Sequence, residues 1–327
     1  MRSAKSPELH LPNTARFRSL LLAWYGKHRR KLPWRGQSDP YRILVSEIML
    51  QQTRVAVVEG RYKQFLAQFP TIQSLARARE QTVLAAWSGL GYYRRARSLH
   101  AAAKLVARQQ RFPRTAAELK ALPGVGPYTA NAVASIAFAE PVAVVDGNVE
   151  RVLQRLLGRA LAREQCWQAA EKLLDTRRAG DFNQAMMELG ALVCLPGQPL
   201  CDQCPVATLC AWRGTRPKRK QAPRRKAVFN YSLSRRDGAV FLEQRPASSS
   251  LMPGMWELPS LGAEAIKRTP LFKMRHSITT TDYSVFVFAG NASPRARRQG
   301  RWVPLHAAGK LPLTGLARKI ISRLRTH

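Results

Sequence analysis

The chain has 327 residues, 45% of them hydrophobic, with 54 Lys and Arg against 20 Asp and Glu, a formal net charge of +34. That length accommodates two domains, or three small ones, and no apolar run is long enough to span a bilayer. The cationic surplus runs along the whole sequence and thickens at 213–226, which a basic tail alone does not explain and which points to a polyanion, nucleic acid above all.

Residues 1–14 hold Pro7 and Pro12 with little apolar periodicity and read as a flexible extension. They carry no secretory-signal pattern, so a reducing compartment is expected. From Thr14 to about Arg213 the pattern is helical, opening with Leu20, Leu21 and Trp24 on one face, and no strand-like alternation of useful length interrupts it. Over Tyr41–Val58 a helix is expected in which Glu47 lies three or four positions from Ile43, Leu44 and Leu50, on the apolar side. A glutamate there is either half of a buried ion pair or a carboxyl that burial keeps protonated, as a general acid requires. Gln51, Gln52 and Thr53 follow, polar and uncharged, suited to hydrogen bonding base edges. The run Gly89-Leu90-Gly91-Tyr92-Tyr93-Arg94-Arg95 sets two aromatics beside two cations after a glycine turn. Bases stack on such rings and arginines meet phosphates, although a buried aromatic pair has the same local sequence.

Leu119 and Leu122 lead into the turn Pro123-Gly124-Val125-Gly126, and Ala130, Val133, Ala134 and Ala137 follow on helical spacing. Glycines between two helices let a phosphate approach backbone amides at a helix N-terminus, a grip on DNA that reads no sequence; an ordinary helix connection looks alike. Next, Asp146-Gly147-Asn148 precedes Val149, Val152, Leu153, Leu156 and Leu157, an amphipathic helix. Asp146 is a turn-plus-cap residue unless a second carboxylate joins it, and Glu47 is available.

Four cysteines follow as Cys194-x6-Cys201-x2-Cys204-x5-Cys210, in a stretch with Pro196, Gly197, Pro199 and Pro205 that makes a poor helix and a poor strand. A segment that does not fold by itself but carries four thiolate ligands is organised most simply by a metal, either structural zinc or a [4Fe–4S] cluster. Cys166 lies outside the cluster and reads as packing. Residues 213–227 are about half basic with two prolines, a solvated linker. Beyond it the period changes: Phe229–Leu233 and Ala239–Leu242 flank Arg236-Asp237-Gly238 as a hairpin, Tyr283–Phe288 is a strand, and Leu316, Ile320, Ile321 and Leu324 mark a last helix. This second domain is α+β.

The cysteine spacing, the Leu122–Gly126 turn and the VDGNVERV segment at 145–152 occur together in an order that resembles the helix–hairpin–helix DNA glycosylases with an iron–sulfur loop, over about residues 14–212. Endonuclease III-like members carry a lysine where this chain has Tyr128, and that amine attacks the sugar. Tyr128, SEIMLQQTRV around Glu47 and GLGYYRRAR instead resemble the adenine DNA glycosylases of the MutY type. The resemblance implies a multidomain chain: an all-α glycosylase domain over 15–212 with a [4Fe–4S] loop at 194–210, a basic linker at 213–227, and a Nudix-like α+β domain over 228–327. It implies a base-excision repair enzyme, monomeric, cytoplasmic and nucleoid-associated in a bacterium. Its partner would be double-stranded DNA with A:8-oxoguanine or A:G mispairs, not a membrane. The flipped adenine would be released by hydrolysis with little or no lyase chemistry. Glu47 would protonate the adenine and Asp146 stabilise the sugar cation, with Tyr128 and Asn148 in support. Leu50, Gln51, Gln52, Thr53, Arg54, Tyr92, Tyr93, Arg94, Gly124, Val125 and Gly126 would meet DNA, Gln52 as a wedge and Tyr92 or Tyr93 as a stacking probe. Cys194, Cys201, Cys204 and Cys210 would hold the cluster. Two departures stand out. The acidic Nudix metal-binding helix is missing after Pro259, so the second domain should bind rather than hydrolyse. The Phe-Ser-His lesion loop of many MutY-type enzymes is replaced near His276 by Ile278, Thr279 and Thr280. A non-catalytic DNA binder that keeps the cluster is the alternative from another class.

Overall fold

The computed structural model describes residues 10–212, 224–249, 251–262, 269–278, 281–290 and 300–324. By internal packing these divide into two units: the described residues through 76 with 101–212, and residues 77–100 with those from 224 onward.

The first unit is built from helices with legible start signals. In α1 (Thr14–His28) the Asn13 side chain accepts from the Arg16 amide, and α2 (Pro40–Leu50) starts on Asp39, which accepts from the amides of Tyr41 and Arg42, with Pro40 in the first turn. Helix α3 (Val55–Gln68) follows, then α4 (Ile72–Arg77); α5 (Glu80–Ala86) lies in the second unit, and α6 (Arg94–Gln109) runs from the second into the first. A capping box between Thr115 and Glu118 opens α7 (Ala116–Lys120). Gly124, at φ +75°, lies in the turn to α8 (Pro127–Phe138). Then come α9 (Gly147–Leu156), α10 (Arg163–Leu173) and α11 (Ala179–Leu192). One helix over Tyr41–Val58 does not form: the chain breaks between Leu50 and Val55, where Gln52 takes φ +55°, a conformation no α-helix contains.

The core of this unit joins α1, α8, α9, α10 and α11. Phe17, Leu21, Val149, Val152, Leu153, Leu156, Phe182 and Leu189 interlock there, and Cys166 is buried among them as plain packing. Each such side chain contributes about 1.5–3 kcal/mol by leaving water. Gly190 of α11 packs directly against Asn148 of α9, with no room for a Cβ between them.

Among the described residues the second unit contains two four-stranded sheets. Its strands are β1 (Arg225–Leu233), β2 (Arg235–Arg236), β3 (Ala239–Gln244), β4 (Trp256–Glu257), β5 (Ser260–Leu261), β6 (Phe272–Ile278), β7 (Thr281–Ala289) and β8 (Gly300–Pro304), followed by α12 (Gly315–Leu324). One sheet runs β5-β1-β7-β6, with β1 and β7 parallel and the other pairs antiparallel. In the other, β3 pairs with β2, β4 and β8, all antiparallel. Tyr231, Leu233, Val240, Leu242, Val285, Val287, Ile320 and Ile321 form the shared core with α12.

Three expectations need correction here. The basic run at 213–227 lies outside the described residues up to 223, and Arg225–Ala227 already belong to β1, hydrogen-bonded in register with Thr281–Tyr283. The Asp237-Gly238 turn is a hairpin with both residues at positive φ, but it joins β3 to the short β2; Phe229–Leu233 goes to the other sheet. Strands β6 and β8 were not expected, although β6 alternates strictly, with Lys273, Arg275 and Ser277 exposed between half-buried Phe272, Met274, His276 and Ile278. Among the described residues no helix is long and apolar enough to cross a membrane.

Candidate active site and cysteine loop

Glu47 sits on the buried face of α2 between Ile43, Leu44 and Ile48 and is 5% exposed. The first turn of α8 brings Tyr128 to it: the phenol donates to Glu47 Oε2 at 2.7 Å and also contacts Met187 Sδ at 3.4 Å. Burial pushes the Glu47 carboxyl above its ordinary value; the Tyr128 hydrogen bond and the Arg35 charge pull it down, while the Asp146 charge adds to the rise. Burial, then the charges of Glu47 and Asp146, push the Tyr128 phenol well above its usual value, so it remains a donor. Two carboxylates about a hundred residues apart in sequence thus act on one another across α2 and α9.

Asp146 is held by the helix it starts. Its Oδ1 accepts from the amides of Asn148 (2.9 Å) and Val149 (2.8 Å), and its Oδ2 accepts from Asn148 Nδ2 at 2.9 Å. The cap reading and the functional reading of Asp146 are therefore one arrangement: capping fixes the carboxylate's direction, and the α9 N-terminus favours its negative charge. Asn148 is itself steered by Arg151, whose Nη2 donates to Asn148 Oδ1 (2.8 Å) and Gly190 O (2.7 Å), while its Nε donates to Cys194 O at 2.8 Å. Arg151 so ties the first cysteine of the loop to the side chain that orients Asp146.

Arg30, Arg35 and Glu188 were missed by sequence reasoning. Glu188 is fully buried on α11; Arg30 pairs with both of its oxygens at 2.8 and 2.9 Å, and Arg35 Nη2 reaches Oε2 at 3.1 Å. Burial pushes the Glu188 carboxyl up, but the hydrogen bonds from Arg30 and the charges of both arginines outweigh it and hold the group ionised. Arg35 lies close enough to lower Glu47 as well, so it links the ion cluster to the acid. The signal was available: Glu188 stands between Met187 and Leu189 on an apolar helix, as Glu47 stands between Ser46 and Ile48.

The four cysteines follow α11 in a stretch whose regular structure is limited to single turns at Cys201–Gln203 and Ala207–Leu209. Cys194, Cys204 and Cys210 pack against the helical core, Cys201 is exposed, and none forms a disulfide. Burial, with a backbone hydrogen bond opposing it, raises Cys204 to about 11, and the neighbouring thiols of Cys210, Cys194 and Cys201 add to the rise. Among the described residues no three metal-ligating side chains are drawn together as a closed metal site. The donor set nonetheless fits a thiolate-bound centre in chemistry: four unoxidised thiols in one loop, with Arg155 Nη1 donating to Cys194 Sγ at 3.3 Å, the kind of charge-assisted contact that stabilises ligating sulfur.

A sequence profile described as HhH-GPD superfamily base excision DNA repair protein matches residues 45–175, which include Glu47, the α7–α8 turn and Asp146. A solved thermostable thymine-DNA glycosylase is 31% identical, with a TM-score of 0.58 over 61% of this chain and 95% of that one. The chain belongs to the HhH-GPD superfamily of base excision DNA repair proteins. Among curated relatives, the human adenine DNA glycosylase is 48% identical over 214 residues, 60% of this chain and 39% of its own length. That of Schizosaccharomyces pombe is 44% identical over 60% of this chain and 48% of its own, and that of Arabidopsis thaliana 38% over 76% and 48%. The matches thus span under half the length of these relatives. An endonuclease III–DNA covalent intermediate, 24% identical, shares the fold with a TM-score of 0.53 over 61% of this chain and 96% of that one.

In this HhH-GPD protein the remaining site residues divide by exposure. Gly124, Gly126, Gln52 and Arg54 are exposed at turns, and Leu50 and Thr53 are half-buried. Val125 is buried and its amide donates to Leu122 O at 3.1 Å, so the exposed part of this turn is Gly124 and Gly126. Gln51 is half-buried and donates to Thr129 Oγ1 at 3.1 Å, which ties the turn after α2 to α8. The tyrosine pair separates: Tyr92 is 47% exposed with Arg94 exposed near it in sequence, whereas Tyr93 is 5% exposed. Tyr93 OH donates to Leu313 O at 3.0 Å. A ring enclosed on that scale does not stack on a base, which corrects the expectation for Tyr93. Ile278, half-buried, ends β6 opposite Thr281, and Thr279 and Thr280 lie outside the described residues.

Proposed function

We propose that this chain removes adenine mispaired with 8-oxoguanine or guanine in duplex DNA, acting as a monomer and hydrolysing the N-glycosidic bond of an everted nucleotide. The observation that carries the reading is the 2.7 Å bond from Tyr128 to a buried Glu47 that also feels the charge of Asp146. Burial raises the Glu47 carboxyl above its ordinary value and so favours the protonated form, which has a proton to give to the departing adenine. As the bond from the sugar to the base breaks, positive charge develops on the sugar, and the oriented Asp146 carboxylate is the counter-charge for it. Water then adds to the sugar carbon, and its proton is taken up by a carboxylate. Eversion is required because the reacting atoms are hidden in the base stack.

The likeness to adenine DNA glycosylases supports adenine as the base. Tyr128 supports hydrolysis without a lyase step: a phenol held protonated offers no amine for a Schiff base. Cys194, Cys201, Cys204 and Cys210 would hold a [4Fe–4S] cluster, which would supply a rigid cross-link for the loop rather than chemistry on the sugar. The β-rich unit, Nudix-like on this reading, would meet the base opposite adenine through the β6–β7 connection after Ile278.

The test is release of adenine from a duplex carrying it opposite 8-oxoguanine. The wild-type chain should release it, and Glu47→Gln and Asp146→Asn should each slow release about 100-fold or more. An intact adenine with the wild-type chain, or full activity in both variants, refutes the proposal.

A further inference from the structure

The turn that carries Tyr92 belongs, with the β-rich region, to the second unit. Tyr92 itself takes φ +48°, with Gly91 at +69° and Gly89 at +97°. A side-chain-bearing residue stays in that left-handed region only where its surroundings over-determine it. Here Trp87 Nε1 donates to Gly91 O at 3.1 Å, Arg95 Nη2 donates to Leu90 O at 3.1 Å, and the Arg95 guanidinium lies 5.3 Å from the Tyr92 ring centroid and 5.7 Å from that of Trp87. The result is an exposed aromatic on a fixed backbone.

Three more hydrogen bonds fasten this turn to the β-rich region. Tyr93 OH donates to Leu313 O (3.0 Å), Arg97 Nη2 to Pro253 O (2.6 Å), and Arg318 Nη1 to Ser88 O (3.3 Å). The partners form one knitted block. Trp256 N donates to Pro312 O at 2.8 Å, Thr314 N to Trp256 O at 2.9 Å, and Gly254 N to Arg245 O at 3.0 Å, while Trp256 pairs with Gln244 of β3. We propose that Tyr93, Arg97 and Arg318 are positioning residues that mount Tyr92 on the β-rich region, so that the inserted ring and the strands that meet the base opposite adenine act as one rigid reader. This rests on the adenine-excision reading above. A ring already fixed before insertion avoids the ordering cost that a mobile loop bears on binding, so the mount acts on discrimination between opposing bases and not on bond cleavage.

The test uses the full chain with Arg97→Ala and Tyr93→Phe, singly and together, and Arg97→Lys as the conservative variant. Amide hydrogen exchange at residues 89–95 should speed up about ten-fold or more in the double variant while Val240, Leu242 and Val285 stay protected. The preference for binding 8-oxoguanine over guanine opposite adenine should fall about ten-fold, on the scale of one lost base–aromatic stack, and Arg97→Lys should restore part of both. Unchanged exchange at 89–95, or a freed turn with an unaltered preference, overturns the mount. Loss of protection across the strands as well, without recovery in Arg97→Lys, makes these residues plain fold stabilisers and also overturns it. A wild-type chain that shows no preference for either duplex sinks the substrate reading instead, and the exchange measurement still decides whether the turn is mounted.

Discussion

Replacing Gly190 by alanine tests how tightly the site depends on the α9–α11 crossing. A Cβ at Gly190 would stand 2.6 Å from Asn148 Cβ and 3.0 Å from the Asn148 carbonyl carbon and oxygen. Carbon atoms in contact sit about 3.5–4.0 Å apart, so the helices must separate by about 1 Å at that point. Alanine gains about 1 kcal/mol over glycine in a helix interior, and overpacking a close crossing costs about 1–3 kcal/mol; the balance is destabilising or near neutral. The functional cost should be larger, because Asn148 Nδ2 holds Asp146 Oδ2 and Gly190 O holds Arg151, and a 1 Å misplacement of a reacting group costs about 100-fold in rate. Gly60 is the matched control: it lies inside α3, and a Cβ added there would meet nothing within 4 Å, so Gly60→Ala should raise stability by about 1 kcal/mol. Thermal unfolding of both variants, with single-turnover adenine release opposite 8-oxoguanine, is the assay. A Gly190→Ala protein that gains stability as Gly60→Ala does and keeps the wild-type rate refutes the argument.

Because burial raises the Glu47 carboxyl, the folded protein keeps a proton there that the unfolded chain gives up above the ordinary range of about 4. Stability should therefore fall, and adenine release with it, as pH rises through the folded value; Glu47→Gln should be inactive yet relatively more stable than wild type at alkaline pH, and a flat rate profile with no such gain contradicts this. Breaking the buried Glu188 cluster with Glu188→Ala strips Arg30 and Arg35 of their shared counter-charge and should cost about 3–5 kcal/mol in chemical denaturation, whereas a loss under about 1 kcal/mol would show that solvent reaches the cluster. Cys204→Ser should abolish the yellow-brown colour and lower the unfolding midpoint, and a colourless wild-type protein containing zinc by elemental analysis would replace iron–sulfur with a structural zinc.

The helical part was legible because its signals are local. Asp146 before Gly147 begins a helix at the expected place; the caps at Asp39 and at Thr115 with Glu118 are equally local signals. Glu47 betrayed its burial by standing among apolar neighbours, and Glu188 could have been found by the same rule. The break at Gln52 was not legible, since Gln51-Gln52-Thr53 contains no glycine or proline to announce a left-handed residue. In the β-rich unit the Asp237-Gly238 turn was read correctly but joined to the wrong partner strand, because a turn signal names the bend and not the sheet each arm enters.

Taken alone, the order of residues determined the helical character of the first part, the Asp146 cap, the two acidic side chains, the glycine turn and the four thiols, because these depend on neighbours a few positions away. Only the tertiary structure decided that Tyr128 bonds Glu47, that Arg151 connects Cys194 to Asn148, and that Tyr93 is buried while Tyr92 is exposed. Those outcomes depend on which surfaces meet when distant helices and strands pack. Local propensity carries no information about that: the same two tyrosines can face water or a carbonyl more than two hundred residues away.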